Sequence, residues 1–200
     1  MAERKLPSLF QRHWAESALA IGAVLIAAVS LWVGYDTMRT NHELVAAASW
    51  PFIEMSDSDM TPTGAPDLLL SAHNAGIGPA KVESVELSWH GKAYRTSREL
   101  LRACCALPRG TEAKSTPYET STLDGAVIRA GQTVNLVRVI DPGENPTVWD
   151  RFHALLYPSV QLDFRICYCS AFNECWTTNG YRLNPPRVNA CPVPKVPFTG

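Results

Sequence analysis

An uncharged apolar run occupies residues 17–35, near the start of the chain. As an α-helix, at about 1.5 Å per residue, the run extends ~28 Å, close to the thickness of the hydrocarbon core of a lipid bilayer. Trp14 precedes it, and Trp32 and Tyr35 lie at its far end, where amphipathic aromatic rings favour the headgroup region. The run therefore predicts a transmembrane helix over residues 16–36.

The charges that flank the run predict which way the helix crosses the membrane. Residues 1–14 carry three basic side chains against one acidic side chain, whereas residues 36–49 carry one basic against two acidic. Basic segments next to a membrane helix are retained in the cytoplasm. Residues 1–15 are therefore expected to form a cytoplasmic tail, and everything after about residue 36 is expected to be exported.

A cleaved signal peptide and a buried core helix also contain apolar runs. The apolar region of a signal peptide is usually about 7–15 residues long, with small residues at a cleavage site close behind it. Here the nearest such site, the alanines at 46–48, comes ten residues after the run. A core helix of a soluble domain is rarely apolar on every face. An uncleaved anchor is favoured over both.

Small residues recur within the run at helical spacing. They follow one another at steps of three and four residues and so share one stripe of the helix: Ala20, Ala23, Ala27, Ser30 and Gly34. Small side chains let two membrane helices approach closely, and such stripes are common at their interfaces. The stripe predicts packing against a second copy of this helix or against another membrane protein. The alternative is an alanine-rich anchor with a stripe that arose by chance.

Beyond the run, the sequence predicts a mainly β domain. Residues 37–49 are good helix formers and extend the membrane helix as a stalk, which Pro51 ends. Residues 50–183 then alternate short runs of β-branched and aromatic residues with turn formers, which is typical of a β-sandwich. The predicted strands are residues 50–55, 67–73, 81–89, 92–95, 133–140, 161–170 and 175–182.

Two short helices are predicted between these strands. Residues 97–105 begin with Ser97 as the expected N-cap, and residues 146–157 have a proline at the first helical position. The polar residues 107–124 are expected to form a loop. The proline-rich residues 184–200 are expected to form a C-terminal tail that lies extended over the surface.

The cysteines all follow the apolar run and are even in number: Cys104, Cys105, Cys167, Cys169, Cys175 and Cys191. In an oxidising compartment this predicts disulfides, although six cysteines allow 15 pairings. If residues 161–170 and 175–182 form a hairpin, Cys169 and Cys175 lie opposite each other. Alternation places Cys167 and Cys169 on the face of the strand away from the core. The helix with Cys104 and Cys105 and the tail with Cys191 are then expected to be pinned onto that face.

A chemical role for the same cysteines is the alternative. Cys167 and Cys169, or the vicinal Cys104 and Cys105, would form a redox centre, or four thiolates would bind zinc. Reactive thiols usually lie at a helix N-terminus or beside a cation, whereas Cys167 and Cys169 are predicted within a strand. Zinc sites favour Cys-x₂₋₄-Cys spacings, which this sequence lacks. Structural disulfides are therefore favoured.

The remaining composition and motifs predict no catalytic residue, metal or cofactor. With 46% hydrophobic and 18% charged residues the chain is not disordered, and a net charge of -1 argues against binding nucleic acid. Residues 76–78, Gly-Ile-Gly, lack the third glycine and the helix of a dinucleotide site and are expected to form a turn. Asp57, Asp59 and Asp67 flank a loop that could hold calcium but lack the spacing of a known calcium loop, so a solvated face is expected. His73, His90 and His153 are far apart in the sequence and belong to no known metal or catalytic motif.

Four segments carry a resemblance to a known group of proteins. They are residues 48–52 (Ala-Ser-Trp-Pro-Phe), 73–80 (His-Asn-Ala-Gly-Ile-Gly-Pro-Ala), 104–105 (Cys-Cys) and 167–176 (Cys-Tyr-Cys-Ser-Ala-Phe-Asn-Glu-Cys-Trp). Most of the chain from the membrane helix to about residue 182 resembles uncharacterised bacterial inner-membrane proteins that have no established activity. The resemblance implies a single-pass anchor with a periplasmic domain, and the segment at 74–80 resembles a strand connection of immunoglobulin-like modules. It transfers no functional residue.

The sequence thus predicts a single-pass protein of the bacterial inner membrane that carries an immunoglobulin-like β-sandwich in the periplasm. Its expected function is non-catalytic: it binds another envelope protein or serves as an accessory subunit, with the lipid bilayer and a partner helix as its contacts. Two alternatives belong to different functional classes. One is a thiol-dependent periplasmic redox protein that uses Cys167 and Cys169, and the second is a periplasmic ligand sensor.

Overall fold

The computed structural model describes residues 9–109, 118–140 and 146–200, with the side chains of Trp14 and of the residues from Glu16 onward. The chain divides into two compact units, Met1–Ala47 and Ala48–Gly200. Within the described residues, the first unit contains one helix, and the second contains the strands, two further helices and all six cysteines.

The described residues of the first unit form one long helix, α1 (Leu9–Ala47), which runs without a break through the predicted membrane segment and most of the predicted stalk. The part Glu16–Ala47 is long and apolar enough to cross a bilayer, and the most apolar stretch within it buries nothing against the rest of the protein. An N-terminal signal sequence shares these properties. The helix ends just before Pro51, whose ring prevents the helical hydrogen bonding from continuing.

The second unit contains two antiparallel sheets. In the first sheet the strands lie in the order β1-β2-β7-β5, and in the second in the order β10-β9-β8-β3-β4, with β6 paired to β3. Every strand pair is antiparallel. The strands are β1 (Ile53–Met60), β2 (Pro66–Asn74), β3 (Ala80–Trp89), β4 (Lys92–Tyr94), β5 (Tyr118–Thr120), β6 (Val127–Ile128), β7 (Thr133–Ile140), β8 (Leu162–Cys169), β9 (Cys175–Thr178) and β10 (Arg187–Val188).

One hydrophobic cluster connects the two sheets and the two short helices, α2 (Ser97–Cys105) and α3 (Pro146–Leu156). Alternate side chains of the strands point into it, as the period of two requires. Leu68 and Leu70 of β2 and Ile166 of β8 are fully buried there, together with Phe152 of α3. Because both sheets contribute to the same cluster, the second unit has a single core.

The sequence predicts the main strands but misplaces several ends. β1 begins at Ile53 rather than at residue 50 and continues to Met60, because its polar second half pairs with β2 although it lacks apolar alternation. β9 ends at Thr178 rather than at residue 182. Three short strands were not predicted, β5 within the expected loop 107–124, β6 and β10, because two or three residues carry no period. Residues 110–117 of that loop lie outside the described residues.

The cap of α2 also differs from the expectation. The N-cap is Thr96, whose hydroxyl accepts a hydrogen bond from the backbone N–H of Glu99 at 3.2 Å. Ser97 is instead the first helical residue, and its buried hydroxyl donates to the carbonyl of Leu136 at 3.3 Å. Both residue types are good N-caps, so propensity alone does not separate two adjacent candidates.

The C-terminal residues are part of the second unit rather than a tail lying only on its surface. The side chain of Phe198 is fully buried in the core. Its backbone N–H donates to the carbonyl of Val85, and that of Thr199 donates to the carbonyl of Arg95, each at 2.8 Å. The prolines of this segment favour an extended chain but do not show whether its apolar side chains are buried.

Candidate functional site

The small-residue stripe of α1 makes no packing contact within the described protein. All five of its residues are exposed, namely Ala20, Ala23, Ala27, Ser30 and Gly34. A Cβ placed on Gly34 would meet no atom within 4 Å. The small size of this residue is therefore not required by any neighbour in the described part of the chain.

Four cysteines of the second unit bring their sulfur atoms together in one group, which we call the sulfur cluster: Cys167, Cys169, Cys175 and Cys191. Cys167 is bonded to Cys191, and Cys169 is bonded to Cys175. The two disulfides touch, because the Sγ atoms of Cys169 and Cys191 are 3.8 Å apart. The Sγ atoms of Cys169, Cys175 and Cys191 all lie within 4.8 Å of one another.

The hairpin of β8 and β9 holds three of these cysteines in place. Cys169, the last residue of β8, lies directly opposite Cys175, the first residue of β9, with their Cα atoms 4.0 Å apart. The turn between them is tied by the hydroxyl of Ser170, which accepts hydrogen bonds from the backbone N–H groups of Phe172 and Glu174. The hairpin predicts the pairing of Cys169 with Cys175, and this is the pair that the structure contains.

The C-terminal segment supplies the fourth cysteine and covers the sheet. The carbonyl of Pro192 accepts a hydrogen bond from the hydroxyl of Ser84 on β3 at 3.1 Å, next to the bond between Cys191 and Cys167. The exposed fractions of Cys167 and Cys169 are accordingly only 1% and 5%. The alternation of β8 places both side chains away from the core, and it is this covering segment that buries them.

The vicinal cysteines Cys104 and Cys105 do not attach α2 to that face, which corrects the expectation from the sequence. They are bonded to each other at the end of the helix. Cys105 is fully buried in the core, and Cys104 packs partly buried against it. All six cysteines of the chain lie within the described residues, and none of them is free.

A buried asparagine at the end of β2 fixes the chain where it enters the second unit. The side-chain oxygen of Asn74 accepts hydrogen bonds from the backbone N–H groups of Phe52 (3.1 Å) and Gly76 (3.0 Å). Its side-chain nitrogen donates to the carbonyls of Gly78 (2.9 Å) and Ile128 (3.0 Å). Asn74 is fully buried, and all four of its hydrogen-bonding positions are used.

The two glycines after Asn74 pack against the same segment. A Cβ on Gly76 would overlap the backbone of residues 50–52, and a Cβ on Gly78 would overlap the backbone of Ser49. The sequence predicts a turn at residues 76–78, but the close backbone approach was missed. The only sequence feature that indicates this close approach is the Gly-x-Gly spacing after a strand, because glycine is common where two backbone segments meet.

A cavity of about 300 Å³ lies beside the edge strand β1, lined among others by Asp57, Tyr157 and Tyr181. The Tyr157 hydroxyl donates a hydrogen bond to the Asp57 carboxylate. Burial, together with this hydrogen bond and the negative charge, raises the pKa of Tyr157 to about 12. Burial also raises the pKa of Tyr181 to about 12, and the charge of Asp57 acts in the same direction.

The remaining candidate groups from the sequence have separate places. Asp67 forms a two-pronged ion pair with Arg138, at 2.8 and 3.0 Å, and does not join Asp57 and Asp59. His73 Nδ1 lies 3.0 Å from the Thr133 hydroxyl. The rings of His90 and His153 contact those of Trp89 and Tyr157, respectively.

No family model, curated protein or solved structure matches this chain. Its function is therefore inferred from its own residues.

Proposed function

We propose that this protein is a non-catalytic, single-pass protein of the bacterial inner membrane that binds another envelope protein or serves as its accessory subunit. The observation that carries the proposal is the complete exposure of an apolar helix of membrane-spanning length. Exposing such a surface to water is costly, at roughly 25 cal/mol per Å² of apolar area. A lipid bilayer is the environment that removes this cost.

The orientation follows from the charges and the cysteines. Basic residues concentrate before the apolar segment, which favours an N-terminus in the cytoplasm. All six cysteines lie beyond the segment and all are bonded in pairs, which fits an oxidising periplasm. The disulfides Cys167–Cys191 and Cys169–Cys175 would each contribute about 2–4 kcal/mol there, whereas the vicinal disulfide closes almost no loop and contributes less.

The exported unit is proposed to be an immunoglobulin-like sandwich. Two antiparallel sheets share one core, and strand neighbours such as β2 and β7 or β3 and β8 are far apart in sequence, as in Greek-key connections. Sandwiches of this kind host many functions. The fold supports a binding role without naming the partner.

The partner surface is proposed to be the small-residue stripe. Its five residues are exposed on a helix that, in a bilayer, gains nothing from hydrophobic association with another helix. Close backbone packing along the stripe would supply the missing attraction. A second copy of the helix and a helix of another membrane protein are both suitable occupants.

Photo-crosslinking in intact membranes tests this role. A photoreactive amino acid replaces Ala27 on the stripe or, as the control, Leu25, which is equally exposed but about 200° around the helix. We expect one discrete protein adduct from position 27 and none from position 25, with Gly34→Leu reducing the adduct at least fivefold. Equal yields from the two positions, or no adduct from either, would refute the partner role.

The ligand-sensor alternative is supported by the cavity beside β1. The cavity is lined by two tyrosine rings and by the Asp57 carboxylate, which has no cationic partner in the described chain. This combination suits an organic ammonium group. Titration of the full chain in detergent with tetramethylammonium, followed by NMR, tests this. Shifts that saturate and disappear in Asp57→Asn support a sensor, and unsaturated shifts that are equal in both chains exclude this class of ligand.

A further inference from the structure

The sulfur cluster has the dimensions of a metal site. A tetrahedral zinc ion bound to four thiolates has Zn–S distances of about 2.3 Å, which places neighbouring sulfurs about 3.8 Å apart. The Sγ atoms of Cys169 and Cys191, which are not bonded to each other, are 3.8 Å apart. Cys175 completes a triangle within 4.8 Å, and Cys167 joins it through Cys191. Three sulfur atoms thus lie within range of a common metal ion, and the fourth, that of Cys167, is bonded to one of them.

We propose that the sulfur cluster, once its two disulfides are reduced, binds one zinc ion through Cys167, Cys169, Cys175 and Cys191. The site would be a redox switch with two states: the oxidised state contains two disulfides, and the reduced state contains one metal ion bound to four thiolates. This inference does not depend on the membrane topology or on the partner role proposed above.

Reduction of the two disulfides requires two equivalents of a dithiol. Each protein disulfide takes two electrons and two protons from one dithiol, which becomes a cyclic disulfide, so that two dithiols give four cysteine thiols. Zinc binding then releases the four thiol protons to solvent, because the thiolate is the ligand. Oxidation of the four thiolates by two equivalents of an organic disulfide reverses the change and releases the metal.

The surroundings favour an ordered site. β8 and β9 fix Cys167, Cys169 and Cys175 on paired backbone, so few groups need to be ordered when the metal binds. These three side chains are at most 6% exposed, whereas Cys191 is partly exposed and offers a path for the metal. Lys81 of β3 is the cross-strand partner of Cys169 in β8. Its Nζ donates a hydrogen bond to the side-chain oxygen of Asn173 at 2.6 Å, so a positive charge lies next to the zinc tetrathiolate, whose net charge would be -2.

The spacing of these cysteines in the sequence conceals the site. Zinc ligands usually come as two Cys-x₂₋₄-Cys pairs, whereas here one pair is separated by a single residue and the others by longer segments. The hairpin replaces the usual short loop, since it places Cys175 opposite Cys169 across the sheet.

Cobalt substitution and alkylation mapping test the proposal on the full chain in detergent. The protein is reduced with excess dithiothreitol, which is then removed without oxygen, and Co²⁺ is added. We expect the visible absorption of a tetrahedral thiolate complex, saturating at one ion per chain and abolished by one equivalent of Zn²⁺. Cys104→Ser/Cys105→Ser should give the same spectrum, and Cys169→Ser/Cys191→Ser should lose it.

Alkylation identifies the ligands even where a variant folds poorly. With Zn²⁺ present, iodoacetamide should modify the four cysteines of the sulfur cluster at least tenfold more slowly than without it, while Cys104 and Cys105 react at unchanged rates. Either equal rates at all six positions, or protection centred on Cys104 and Cys105, overturns the proposal. So does a cobalt spectrum that survives in Cys169→Ser/Cys191→Ser.

Discussion

Gly78 lies so close to Ser49 that the two backbones leave no space for a Cβ on the glycine. The neighbouring Asn74 binds both sides of this junction through its side chain, reaching the Gly78 carbonyl and the N–H of Phe52. Backbone contacts and the Asn74 side chain therefore help to fix the start of the second unit, where Ile53 is also fully buried in the core. Two substitutions test how much this arrangement contributes to stability.

Replacing Gly78 by alanine is expected to destabilise the second unit. The new Cβ would overlap backbone atoms of Ser49, which cannot move aside as the end of a flexible side chain can. We therefore expect the free energy of unfolding to fall by about 3 kcal/mol, the upper end of the range for overpacking. Urea unfolding followed by tryptophan fluorescence measures it. Gly64→Ala is the control: it adds only the strain of a positive φ, in open space. Equal losses in the two variants would contradict the close contact.

Replacing Asn74 by alanine should cost about 3 kcal/mol or more. The change removes four hydrogen bonds and leaves buried backbone groups of Phe52 and Ile128 without their partner. The matched control is Asn179→Ala, which removes one exposed hydrogen bond to Tyr181 and should cost less than about 1 kcal/mol. Urea midpoints of the two variants that agree within error would show that Asn74 has no special role.

Removal of Cys175 should cause the other disulfide of the sulfur cluster, Cys167–Cys191, to rearrange. In Cys175→Ser, the free Cys169 lies 3.8 Å from Cys191, so its thiolate attacks that sulfur and releases Cys167 as a thiol. At a pH near 8.5, where about half of an ordinary thiol is ionised, a bond between Cys169 and Cys191 should form. Peptide mapping under non-reducing conditions detects it.

The control for this exchange is Cys104→Ser. It leaves Cys105 as a free thiol that is buried in the core. Cys105 is not grouped with any other disulfide of the described chain, so the pairing within the sulfur cluster should stay unchanged. A Cys175→Ser chain in which Cys169 remains fully alkylatable and Cys167 stays bonded to Cys191 would mean that the two disulfides are not in exchange contact.

The stability of the second unit should fall as the pH rises from 10 towards 12. Burial raises the pKa of Tyr168 from 10.0 to about 12, so in this interval the unfolded chain loses a proton that the folded chain keeps. The contribution is fully present below pH 10 and is lost as the pH approaches the folded value. Tyr168→Phe should reduce the pH dependence of the urea midpoint without abolishing it, because Tyr157 and Tyr181 contribute in the same direction. An unchanged slope would show that Tyr168 ionises equally in both states.

The sequence predicts those parts of the fold that have a strong local pattern. The alternation of apolar residues locates β8, and the proline at the first turn locates α3. The strands β6 and β10 escaped prediction because their pairing with β3 and β9 is set by tertiary contact alone. Phe198 was missed for a related reason, since its burial depends on the long-range bond between its backbone and Val85.

The candidate sites show the same limit. The pairing of Cys169 with Cys175 follows from a hairpin whose turn the sequence predicts. The contact of Cys169 with Cys191 does not, because it depends on how a proline-rich segment crosses the sheet. Asn74 and Tyr157 form their hydrogen bonds with groups that are distant in the sequence, so neither residue is distinguished by its local motif.

We propose that α1 crosses the membrane once and leaves the second unit in the periplasm. Insertion of a site-specific protease sequence between residues 47 and 48, at the boundary of the two units, tests it directly. Protease added to intact spheroplasts should release the second unit into the supernatant with its disulfides formed, while the same sequence inserted after residue 2 should be cut only after lysis. Cleavage at the boundary only after lysis, or uncut full-length protein that is soluble without detergent, would contradict the claim.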